Sequence, residues 1–113
     1  MTLTVTHHAG YVLARTSGPL DERARDEFRE QLHPLVAQRG TRLILDLADS
    51  LRINSPGIGN LVALVADANT NDSRVIFCCP STFIAGVLAV TKLDTYFEVA
   101  PSLEDAIARA TSS

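Results

Sequence analysis

At 113 residues, with 46% hydrophobic and 20% charged side chains, the chain has the material for one compact domain, residues 1–113, and is neither a disordered segment nor a pair of domains. A formal net charge of −3, with its ten Lys and Arg scattered, argues against a surface that tracks nucleic-acid phosphates. No basic stretch followed by an apolar one opens the chain, and the longest apolar run, residues 83–90, is far too short to cross a bilayer. Neither a signal peptide nor membrane insertion is therefore expected, and the expected compartment is the cytoplasm.

Residues 2–6 alternate and are rich in β-branched side chains, which predicts a half-buried strand. His7-His8-Ala9-Gly10 supplies a turn, and residues 11–16 return as a second strand. Residues 21–38 predict a helix with Ala24, Phe28, Leu32, Leu35 and Val36 on one face. Pro34 should kink that helix or end it early, and Gly40 fits its stop. Residues 42–47 form a nearly continuous apolar run, the pattern of a strand covered on both faces. A second helix opens at Ser55 and runs to about Ala68. Residues 75–79 predict another buried strand, and Pro80-Ser81 starts a helix carrying Phe83, Ile84, Val87 and Leu88. A short last strand is expected over residues 96–99. Ser102, with Asp105 three residues on, resembles a capping box that opens a final helix with Leu103, Ala106, Ile107 and Ala110 inward. The order β-β-α-β-α-β-α-β-α predicts an α/β fold: a mixed, mostly parallel sheet with an N-terminal hairpin, about four helices, and residues 42–47 and 75–79 in its centre.

Few residues offer chemistry. Ser55, followed by Pro56 and Gly57, reads as a helix N-cap with proline at the first helical position. A helix N-terminus also suits an anion, including a phosphate carried on that serine, so Ser55 is either a cap or a modification site. Gly57 and Gly59 lack the third glycine and the acidic ribose partner of a dinucleotide fingerprint, and close helix packing explains them better. His7, His8 and His33 have no spaced Cys, Asp or Glu companions, so no metal is expected. Cys78 and Cys79, adjacent in a strand, should point to opposite faces, which leaves two reduced thiols and no disulfide. No Gly-x-Ser-x-Gly elbow, Walker loop or Cys-x-x-Cys occurs, so the chain is not expected to be an enzyme.

Asp46-Leu47 followed by Ile53-Asn54-Ser55-Pro56-Gly57-Ile58-Gly59-Asn60-Leu61 resembles the central motif of STAS domains, the fold of bacterial anti-sigma factor antagonists. That motif runs strand, Asp-Leu, short loop, Asp-Ser-(Ser/Thr)-Gly-(Leu/Ile)-Gly, apolar helix. Gly18-Pro19-Leu20-Asp21, residues 91–97 (Thr-Lys-Leu-Asp-Thr-Tyr-Phe) and residues 102–106 (Ser-Leu-Glu-Asp-Ala) resemble three further family stretches in the same order. Asn54 stands where the family usually has Asp, and Pro56 where it has a second Ser or Thr.

The resemblance implies a STAS-like mixed sheet and a partner-binding surface of Asp21, Asn54, Ser55, Pro56, Gly57, Ile58 and Gly59. It implies Ser55 as phosphoacceptor and an anti-sigma factor with serine-kinase activity as partner, with a metal-dependent serine phosphatase reversing the modification. No cofactor and no direct contact with nucleic acid are expected. The alternative the resemblance leaves open is a STAS domain that is not phosphorylated, serving as a scaffold, a transporter-associated subunit or a small-ligand sensor.

Overall fold

A computed structural model describes residues 1–112. Its sheet has five strands in the order β1-β2-β3-β4-β5: Thr2–His8, Tyr11–Ser17, Arg42–Asp49, Arg74–Cys78 and Glu98–Ala100. β1 and β2 are antiparallel, joined by a turn at Ala9 and Gly10, and every later pairing is parallel. The predicted central runs are β3 and β4, and neither is an edge.

The helices follow from this order. Each crossover from β2 to β5 moves the chain one strand further in the same direction, and right-handed crossovers of that kind all fall on one face of the sheet. That face is covered by α1 (residues 24–36), α2 (Ser55–Thr70) and α3 (Thr82–Val90). α4 (Leu103–Thr111) covers the other face, with Ala106 and Ala110 against Leu13, Ile44 and Ile76. β3 therefore sends Leu43, Leu45 and Leu47 into one core and Ile44 into the other, which is why its sequence reads as an unbroken apolar run.

α1 begins at Ala24, three residues later than the sequence predicts, because residues 21–23 form a turn in which Ala24 N–H donates to the Asp21 carbonyl (3.0 Å). Its middle, Phe28–Leu32, is a π-helical turn, and the His33 N–H reaches back five residues to the Phe28 carbonyl. Pro34, with no N–H to give, follows directly. The buried side chains Ala24, Phe28, Leu32 and Val36 are spaced four apart. In a regular helix each such step drifts by about 40° around the axis. The wider π turn removes part of that drift and keeps all four side chains on the sheet.

β4 ends at Cys78, one residue before the sequence predicts, and β5 lies at Glu98–Ala100 rather than at 96–99. Cys79 lies beyond the strand with φ at 58°, the left-handed region. This overturns the expectation of opposed cysteines. The left-handed backbone returns the Cys79 side chain to the face of Cys78, which is buried in the core beneath α4, with the partly buried Cys79 packed against that core.

Candidate functional site

At the C-terminal end of the sheet two loops, residues 18–23 and 50–54, run side by side. Gly18 N–H donates to the Asp49 carbonyl (3.1 Å) and Leu20 N–H to the Arg52 carbonyl (2.9 Å). Asn54 N–H in turn donates to the Leu20 carbonyl (3.2 Å). Below them the Thr16 and Ser50 hydroxyls, both buried, share a 2.7 Å hydrogen bond. The start of α2 is thus held by backbone rather than by loose side chains.

The N-cap of α2 is Asn54, not Ser55. Asn54 has an extended backbone, its Oδ1 accepts the Gly57 N–H at 2.9 Å, and its carbonyl accepts the Ile58 N–H at 2.9 Å. Its Nδ2 donates to Glu22 Oε2 at 3.1 Å. These bonds, with the Leu20 contact, pin Asn54 to the loop, so it is the last extended residue and Ser55 becomes the first helical one. Pro56 falls in the first turn, where its missing N–H costs no helical bond.

Ser55 is exposed, and among the described residues its hydroxyl has no hydrogen-bond partner. Of the first-turn amides, Gly57 and Ile58 are already used by Asn54 and Pro56 has none. The helix end therefore offers a charge on Ser55 the positive pole of the dipole and little direct amide chelation.

Gly57 is buried, and a Cβ added there would lie 2.0 Å from the Leu20 carbonyl oxygen. Gly59 is exposed, with nothing within 4 Å of such a Cβ. The Gly-x-Gly pair therefore divides: Gly57 permits contact with the Leu20 backbone, and Gly59 does not serve packing. Ile58 is half-buried against the core, while Asn54, Ser55, Pro56 and Gly59 face solvent.

Asp21 lies beside α2, its carbonyl accepting from Asn60 Nδ2 at 3.2 Å. Its carboxylate, however, turns to Arg23 (2.7 Å to Nη2), and this hydrogen bond holds it below the usual carboxylate range. Of the apolar residues the sequence assigned to α3, Phe83 is 47% exposed and carries the Arg52 guanidinium 5.6 Å above its ring. Phe83, Asp21 and Asn54 line a cleft of about 210 Å³ beside the start of α2, and Leu51 in the same loop is 66% exposed. Apolar helix periodicity could not single out Phe83, because α3 is apolar on nearly every side.

A small mixed sheet with three crossover helices on one face, and a loop pair holding a serine at a helix start, makes this an α/β domain. The chain belongs to the STAS domain family, whose model it matches over residues 2–106. An anti-sigma factor antagonist from Mycobacterium paratuberculosis shares the fold at 24% identity and a TM-score of 0.80, over 98% of this chain and 94% of that one. The phosphorylated Bacillus cell-fate determinant SpoIIAA shares it at 21% identity and a TM-score of 0.73, over 96% and 98% of the two chains. Unphosphorylated SpoIIAA superposes at a TM-score of 0.77 with 21% identity, over 96% and 95%. Among the described residues no helix is long and apolar enough to cross a membrane.

Proposed function

We propose that this chain is an anti-sigma factor antagonist that binds an anti-sigma factor with serine-kinase activity and is switched by phosphorylation of Ser55. The observation that carries the reading is the exposed, unengaged Ser55 hydroxyl at the first helical position of α2, within a STAS domain. A residue used as a cap would be held against the first turn. Asn54 does that work, which leaves Ser55 accessible to a kinase.

The surroundings support a protein partner. Leu51 and Phe83 expose apolar area next to a polar rim of Asn54, Arg52 and Ser55, a composition suited to protein contact. Phosphate adds about −1.5 to −2 charges at pH 7. With few free amides to receive it, that charge stays at the surface, next to Asn54, whose amide holds Glu22, and must be desolvated when a partner closes over the loop. The chain acts by binding, not by catalysis, in a cytoplasmic partner-switching cycle that a metal-dependent phosphatase resets.

The test is calorimetric titration of the kinase partner into the unmodified protein, Ser55→Ala and Ser55→Asp, with intact mass measured after incubation with kinase and ATP. Addition of one phosphoryl group to the unmodified protein and none to Ser55→Ala is expected, with Ser55→Ala binding as tightly as the unmodified protein. Ser55→Asp should bind at least about tenfold more weakly, since an unpaired interfacial charge costs several kcal/mol. Equal affinity in all three would refute the switch and favour a scaffold.

A further inference from the structure

On the sheet face beneath α4 three potential ligand atoms converge. The Asp46 carboxylate and the Cys78 and Cys79 sulfurs all lie within 4.8 Å of one another. Parallel pairing in register sets Asp46 of β3 opposite Cys78 of β4. The left-handed φ of Cys79 brings the second thiol to the same side, and the Cys79 N–H, donating to the Ala100 carbonyl at 3.3 Å, fixes that bend against β5. A regular strand could not place adjacent thiols together.

We propose that Asp46, Cys78 and Cys79 form a binding site for a thiophilic divalent cation of the zinc class. Two thiolates and one carboxylate are a donor set suited to tetrahedral zinc, with water in the fourth position. Bonds of about 2.3 Å to sulfur imply a sulfur–sulfur separation of about 3.8 Å, so the observed spacing closes with a shift of about 1 Å or less. Cys78 and Asp46 are buried, whereas Cys79 is partly exposed and provides the way in.

The charges balance. Binding exchanges two thiol protons, released to solvent, for one divalent ion, giving −1 over the three ligands. The Arg15 guanidinium, its Nε 3.3 Å from Asp46 Oδ2, offsets that charge. Asp46 Oδ1 accepts the Ala48 N–H at 2.9 Å, which orients the carboxylate and leaves lone pairs for a metal. Without metal, burial first, then the hydrogen bond to Cys79 and the Asp46 charge, push the Cys78 thiol well above its ordinary value. The buried Cys78 thiol therefore keeps its proton without metal, and the ion must displace it.

The experiment is titration of the fully reduced, chelator-stripped protein with Cd²⁺, read by the ultraviolet thiolate-to-cadmium charge-transfer band, with Zn²⁺ as competitor. One equivalent should develop the band and Zn²⁺ should bleach it. Cys79→Ser and Asp46→Asn, each checked for fold by circular dichroism, should weaken Cd²⁺ binding at least about tenfold. His7→Gln with His8→Gln should leave it unchanged. Absence of the band in the unmodified protein overturns the proposal without reference to any variant. An unchanged affinity in Cys79→Ser or Asp46→Asn, or loss of the band on removing the histidines, also overturns it.

Discussion

Gly57→Ala should be among the most damaging single changes at the Ser55 loop. The new methyl would meet the Leu20 carbonyl oxygen at 2.0 Å, its carbon at 2.6 Å and Ile53 Cγ1 at 3.0 Å. The first two are backbone atoms, so no rotamer change relieves the contact. The first turn of α2 and the 18–23 loop must separate by about 1 Å or more. That separation strains or breaks the Asn54-to-Leu20 and Leu20-to-Arg52 hydrogen bonds. Overpacking costs about 1–3 kcal/mol and each lost hydrogen bond about 0.5–1.5 kcal/mol. The better helix propensity of alanine returns about 1 kcal/mol. A net loss of about 1–5 kcal/mol follows, which for a domain of this size lowers Tm by roughly 4–20 °C. Gly59→Ala, two residues on, meets nothing within 4 Å and should raise stability by about 0.5–1 kcal/mol. Urea and thermal denaturation of the two variants beside the unmodified protein give the answer. If Gly57→Ala unfolds within about 0.5 kcal/mol of the unmodified protein, or less readily than Gly59→Ala, the close approach to Leu20 is not what that glycine serves.

Asn54→Ala should lose the cap and about 1 kcal/mol, whereas Ser55→Ala should stay within about 0.5 kcal/mol by the same denaturation assay, the reverse of what a serine cap predicts. Glu98 accepts two hydrogen bonds from Arg74 (2.7 and 2.6 Å), which hold its carboxyl below its ordinary value of 4.5. A depressed folded-state pKa stabilises fully above the unfolded value and is lost as pH falls through the folded one. Glu98→Gln should therefore cost about 0.5–1 kcal/mol at pH 7, and the difference should disappear in acid below the folded-state pKa; a gap that persists there would mean the ion pair is not its source.

The sequence by itself determined the element order, because apolar periodicity distinguishes buried strands from one-faced helices wherever the pattern is long. Residues 42–47 carried the nearly continuous apolar pattern of a strand covered on both sides, and the Ser102 cap was readable because a hydroxyl three residues before an amide is a local device; its Oγ accepts the Asp105 N–H at 3.1 Å. The family's motif also marked the loop that carries Ser55. What depends on contacts distant in sequence was not readable. Asn54 and Ser55 are both good caps, and only the Leu20 carbonyl and Glu22, brought in by the neighbouring loop, select Asn54. Gly57 and Gly59 look alike until the Leu20 backbone arrives against one of them. Phe83 faces outward because the sheet takes Ile84 and Leu88 instead, a choice made by the rotation of α3 on its neighbours. Cys78 and Cys79 read as opposed because strand geometry alternates side chains, and the alternation fails where β4 ends and one residue turns left-handed to meet β5.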